Sequence, residues 1–293
     1  MLTHPLTILY NFIKNPSDFS KDNVNINVVK HIFAYIFFGI TSSVLIQILI
    51  FLVTPSQSSD IQSKIDISKT SEFITIAITA VLLAPFYEEF IFRGLVSKSK
   101  LIYKRIFLFF VVLLFFALLS NFAPISSLLF GIWKLWLPLP LIFISILIAT
   151  FAPIDKLYNP TPFNALVHLQ ALCFGLAHIN NSQYNSSKAL FIIPFLILNQ
   201  LYLGYVHAYL ASRFGITKAI LSHFINNFIG IGFLAAATLL DNKILAISSG
   251  ILAFGVYFYA FYCFVTLTIS SYKNYKNSNF LINLDINNNI KHD

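Results

Sequence analysis

The chain is read as an all-α membrane protein, a polytopic bundle of about eight transmembrane helices, on three observations. Of its 293 residues 57% are hydrophobic and 10% charged, against about 25% charged in soluble domains, and the mean hydropathy is +0.77. The apolar runs are long, close to the roughly 20 residues a helix needs to cross a bilayer. They also lack the alternating segments of about ten residues that build an outer-membrane barrel. In lipid every backbone polar group needs an internal partner, so helices are the solution that remains.

In chain order, residues 1–31 are expected to be a cytoplasmic N-terminal segment. Its start, MLTHPLTILYNFIKNPSDF, lacks the charged region, apolar core and small-residue cleavage site of a signal peptide and reads as a short interfacial helix. Spans are expected near 32–54, 72–97, 105–122, 132–152, 162–180, 189–212, 217–237 and 244–270, which makes 32–270 one transmembrane bundle. Residues 271–293, rich in Asn and Lys, are expected to form a polar, loosely ordered tail.

Lys and Arg placement sets the orientation. With the N-terminus inside, the inner segments hold Lys14, Lys21, Lys30, Lys98, Lys100, Lys104, Arg105, Lys156, Arg213, Lys218, Lys273, Lys276 and Lys291. The outer ends hold Lys64, Lys69, Lys134, Lys188 and Lys243. Both termini are therefore expected in the cytoplasm, and the protein in the cytoplasmic membrane as a multi-pass chain. This asymmetry accounts for the net charge of +8 without nucleic acid. Trp133 and Trp136 fall at an outer interface, where an aromatic belt belongs. Cys173 and Cys263 lie in apolar runs outside any metal-ligand spacing, and are expected to be buried and unpaired.

Against this apolar background the stretch YEEFIFRG, Tyr87–Gly94, places Glu88, Glu89 and Arg93 inside the second span. Each charge costs on the order of 2.5–3.5 kcal/mol at a helix centre, so the three should face the bundle interior or a wet cavity. Glu89 and Arg93 are four apart and can pair on one face. Glu88 points about 100° away and is left for another task. The fifth span ends in CFGLAHIN, with Phe174 and His178 four apart, and the seventh holds LSHFINNF, with His223 and Asn227 four apart. Plainer readings stand beside these. Glu89 and Arg93 could be a structural ion pair. His168 and His207 read as buried rings that satisfy neighbours. Gln170, Asn199 and Gln200 could bond across helices. By depth, Glu88, His223 and Asn227 can meet, whereas His178 lies towards the far end of its span and needs a tilted or re-entrant helix to join them.

A carboxylate in a low-dielectric cavity suits a general base. Facing a histidine it could activate water, while an imidazole and an amide one turn apart could donate to a developing oxyanion. Such a set describes peptide-bond hydrolysis without a covalent intermediate. No Ser or Cys nucleophile motif is present, and HExxH is absent.

In order, EEFIFR (EExxxR), FGLAH (FxxxH) and HFINN (HxxxN) resemble the motifs of the CPBP family, the CAAX-protease and bacteriocin-processing (Abi) intramembrane proteases. The flanks APFYEEFIFRGLV and LGYVHAYLASRFGITKAILSHFINNF are similar too, so the resemblance covers about residues 75–230. It implies an intramembrane endopeptidase acting on a membrane-embedded or lipid-anchored substrate, of which CAAX-type proteins are one class. Glu88 would be the catalytic glutamate, with Glu89 and Arg93 holding its geometry. His178 would work with Glu88 on the water, and His223 and Asn227 would stabilise the oxyanion. The resemblance leaves two options for the cofactor: zinc, held by Glu88, His178 and His223, which form a legitimate catalytic ligand set, or no metal. One departure is the chain between Arg93 and Phe174, long enough for an additional helix pair over 105–152. A pair preserves the direction of every later helix. Two other functions use the same residue types: an ion-coupled transporter, and a non-catalytic membrane partner such as an immunity protein.

Overall fold

The computed structural model describes residues 4–18, 27–53, 69–98, 138–154, 159–178, 189–239 and 241–289, together with 104, 105, 107–109, 112 and 156. Among them there is no strand. Helix α1 (Pro5–Lys14) begins on a proline, whose fixed φ suits a first turn, and His4 Nδ1 caps it by accepting from the Leu6 amide. Its apolar side buries Pro5, Leu9 and Phe12 against the bundle. Helix α2 (Val28–Val53) comes next. Residues Thr70–Arg93 make one rod in three windings: α3 (Thr70–Ile76), a π-helical segment (Ala77–Leu83) and α4 (Ala84–Arg93). Then come α5 (Pro138–Phe151), α6 (Pro160–Ala177), α7 (Ala189–Phe214), α8 (Ile216–Thr238) and α9 (Lys243–Asn289).

Four helical stretches among the described residues are long and apolar enough to cross a membrane: Val28–Ile46, Thr70–Arg93, Ile216–Thr238 and Lys243–Asn274. The expected third span, 105–122, lies almost wholly outside the described residues, as do Trp133 and Trp136. The other expected spans coincide with helices, and two details differ. First, α9 runs unbroken to Asn289, although the composition suggests loose order from Ser271. That stretch contains neither Gly nor Pro, so nothing interrupts the hydrogen-bond ladder. Second, Cys263 is buried as expected, but Cys173 is exposed, because its side of α6 faces away from the packed interior; neither is in a disulfide.

Helix α8 sits at the centre, touching α9, α7, α4, the π-helical segment and α2. Small residues set its approach: a Cβ on Gly232 would come within 2.8 Å of the Ala253 methyl on α9, the close backbone contact by which membrane helices associate. Gly204 does the same between α7 and α6, where a Cβ would lie 3.0 Å from the Ala171 Cα. Between α7 and α8 the chain reverses at Gly215, whose φ of 93° and ψ of 158° lie in a region that is essentially glycine-only. The two helices therefore form a tight hairpin, and residues equally far from Gly215 face one another.

Candidate active site

The site is built on the rod Thr70–Arg93. Its first half is loosened by threonines: the Thr75 hydroxyl donates to the Ser71 carbonyl (2.9 Å) and the Thr79 hydroxyl to the Thr75 carbonyl (2.8 Å). Such back-bonding competes with the helical ladder. The winding then widens, and the Ala84 amide donates to the Thr79 carbonyl, five residues back. Alpha-helical winding resumes at Ala84, and Pro85 falls in the first turn, where its missing N–H is tolerated. In the five-residue register the donor due to the Ala80 carbonyl is residue 85, which has no N–H. Asn227 on α8 supplies the bond instead, its Nδ2 donating at 2.8 Å.

Beyond Pro85, α4 presents Glu89 and Arg93 to the interior and Glu88 to the edge of the packed core. Glu89 Oε2 lies 3.4 Å from Arg93 Nε, and both side chains are fully buried. The guanidinium lies 4.0 Å over the Phe174 ring, a cation–π contact made stronger by desolvation, and it also donates to the Gly204 carbonyl at 3.4 Å. The other carboxylate oxygen, Glu89 Oε1, is approached by two imidazoles: His223 Nδ1 at 2.8 Å, in a hydrogen bond, and His207 Nδ1 at 3.0 Å. The two rings stack, with centroids 4.9 Å apart and planes 22° apart.

Glu88 has different surroundings. Its side chain is 29% exposed, and its Oε2 lies 3.6 Å from His178 Nε2 and 3.9 Å from His223 Nε2. His178 is the residue that ends α6, and its Nδ1 lies 2.8 Å from the Phe174 carbonyl. A carbonyl can only accept, so this Nδ1 donates, and the neutral ring keeps a bare lone pair on Nε2. The carboxylate of Glu89 fixes His223 in the same tautomer. Three acceptors, Glu88 Oε2, His178 Nε2 and His223 Nε2, thus surround one place, and Glu88 Oε2 is buried with no hydrogen-bond partner among the described residues. An occupant of that place must donate hydrogen bonds or carry positive charge.

Compared with protein-family models, curated proteins and solved structures, the chain matches none.

One group of side chains among the described residues has its ligand atoms close enough together to hold an ion. Glu89, His207 and His223 offer ligand atoms within 4.8 Å of one another. In that set, however, the buried Arg93 already neutralises the carboxylate, and a divalent ion would add uncompensated charge in a region stripped of water. Glu88 lies at the more open edge of the core, and its Oε2, with His178 Nε2 3.6 Å and His223 Nε2 3.9 Å away, is the place whose chemistry fits a water.

Glu88, Glu89, Arg93, His178 and His223 are therefore gathered in one region, His178 included despite its distance along its span. Asn227 is reached through the backbone of the π-helical segment. His168 bonds Tyr205, with Nδ1 and the hydroxyl 2.9 Å apart, in keeping with the plainer reading of that ring. His207 is different. By sequence it reads as a buried ring satisfying a neighbour, and that neighbour is Glu89. A signal for this is present in the chain: His207 and His223 lie equally far before and after Gly215, so a hairpin turning there brings them side by side.

Proposed function

We propose that the chain is an intramembrane endopeptidase of the CPBP type that hydrolyses a peptide bond of a membrane-embedded or lipid-anchored substrate with water activated by Glu88. The observation that carries this reading is the convergence of Glu88, His178 and His223 from three helices far apart in sequence, each presenting an acceptor to one place. A water bound there donates its hydrogens to two of the three acceptors, which orients a lone pair outward for attack on a carbonyl carbon. Glu88 takes the water's proton in the attack and returns it to the leaving amine. His223, held in place by Glu89 at Nδ1, keeps Nε2 as an acceptor and so helps to orient the attacking water. Were zinc the cofactor, Glu88, His178 and His223 would have to draw closer together to hold it, and when bound it would lower the pKa of a bound water and polarise the scissile carbonyl.

In this reading the bundle comprises eight spans, with the pair over 105–152 inserted between the first and second motifs. Both termini are cytoplasmic, in the cytoplasmic membrane, and the bilayer is the constant partner. The deciding experiment compares wild type and Glu88→Gln, purified in detergent, on a labelled membrane peptide. Cleavage should fall by at least the roughly 10²-fold that a general base contributes, and equal rates would sink the reading. Treatment with a chelator, followed by metal analysis, separates the zinc and metal-free forms.

A further inference from the structure

We infer that Asn227 is a positioning residue that caps the carbonyl orphaned by Pro85 and so holds the π-helical segment that aims Glu88. The inference rests on the reading of Glu88 as the base, but its physical core is separate. A buried or lipid-facing carbonyl without a partner is strongly unfavourable in a membrane. The π-helical winding offers the Ala84 amide to Thr79, and the next position along the ladder is Pro85, which has nothing to offer the Ala80 carbonyl. Returning to ordinary winding would not remove the problem, since proline would then leave the carbonyl of Val81 unmet. The segment thus always has one carbonyl short of a donor, and Asn227 Nδ2, at 2.8 Å from Ala80 O, meets the one that the widened register creates.

The register matters because every residue after the segment inherits it. One residue more or less within a helix turns the remainder of that helix by roughly 100°, the angle that separates the surroundings of Glu88 from those of Glu89. In the observed winding Glu89 meets Arg93, His207 and His223, while Glu88 meets the Nε2 atoms of His178 and His223. A shift by one position would carry one carboxylate into the other's surroundings and turn the second away from both, leaving it unpaired. Asn226 adds a weak brace, its Nδ2 lying 3.4 Å from Asn227 Oδ1 and so fixing which end of the Asn227 amide faces Ala80.

The test is a double-mutant cycle between Asn227 and Pro85. Asn227→Ala alone should lower Tm in detergent by roughly 3–8 °C, speed amide exchange across 77–84 and reduce kcat on a membrane peptide with KM little changed. Pro85→Ala supplies an N–H at position 85 that satisfies the ladder in either winding. Added to Asn227→Ala, it should restore at least half of the lost Tm and exchange protection, and kcat with them. Strictly additive losses, or an Asn227→Ala protein with unaltered Tm and exchange, overturn the inference. So does a double variant that regains Tm and protection but not kcat, because Asn227 would then act on the substrate directly. If wild type cleaves no peptide, the peptidase reading fails by itself, and Tm and exchange still decide the role of Asn227.

Discussion

Glu88 and Glu89 are adjacent in the chain, yet the fold gives one of them a cation and the other an opening. Glu89 is completely buried, and what makes that tolerable is Arg93 on one oxygen and two imidazoles on the other. Removing one partner of a buried pair strands the other, at a cost of about 3–5 kcal/mol. Arg93→Leu is therefore expected to lower Tm steeply in detergent, whereas Arg93→Leu combined with Glu89→Leu should recover much of the loss; thermal unfolding of the three proteins checks both. This division of labour is legible from spacing, since Glu89 and Arg93 are one turn apart and Glu88 is not. The role of His207 is less so. A ring in a span has no periodicity of its own, and its meaning depends on the partner that Gly215 folds against it. Asn227 is legible as a polar residue on the right face, but its bond to a backbone carbonyl cannot be read, because that carbonyl is free only in a winding the sequence does not announce.

At the scale of elements, the rod Thr70–Arg93 is tied at its N-terminal end by a residue from another helix junction. Lys69 gives α3 no side-chain cap, and Asp241, between α8 and α9, takes that place: its two carboxylate oxygens accept from the Thr70 amide and hydroxyl, each at 2.9 Å. The Thr70 amide and hydroxyl hold the Asp241 carboxyl below the usual carboxylate range, with Lys69 adding to the effect. Because the folded-state value is depressed, the stabilisation is present above the unfolded value of about 3.9 and is lost as pH falls through the folded value. Asp241→Asn is thus expected to lower Tm at neutral pH, and the gap to wild type should close as the pH falls below about 4; melting curves across a pH series measure this. Helix positions and types are set by apolar run length and can be read from it. The π-helical segment cannot, because it arises from Thr back-bonding, Pro85 and a donor on α8 acting together. The continuation of α9 is hidden for another reason: its polar composition suggests a stop, when only Gly or Pro would have supplied one.

For the molecule as a whole, α8 is the hub through which the motif-bearing rod, the hairpin partner α7 and the long α9 are joined. Its contacts with the rod and with α7 bring His223 beside Glu88, Glu89 and His207. The proposed topology places Lys98 on the cytoplasmic side and Asp241 on the outer side. Single cysteines introduced at these positions, in a protein lacking Cys173 and Cys263, are expected to react with an impermeant thiol reagent from opposite faces of sealed vesicles. Labelling of both from the same face would require a different arrangement of the helices.

Helix α9 is longer than a bilayer is thick. It holds 47 residues, about 70 Å of helix where the hydrocarbon layer is about 30 Å thick. Tilt alone would need an inclination of more than about 50°, beyond the usual range of about 0–40°, so part of the rod must stand clear of the lipid. A thicker membrane would draw more of that rod inside and a thinner one would push it out. Since α9 packs along α8, the helix that carries His223 and Asn227 is braced by the longest rod of the bundle.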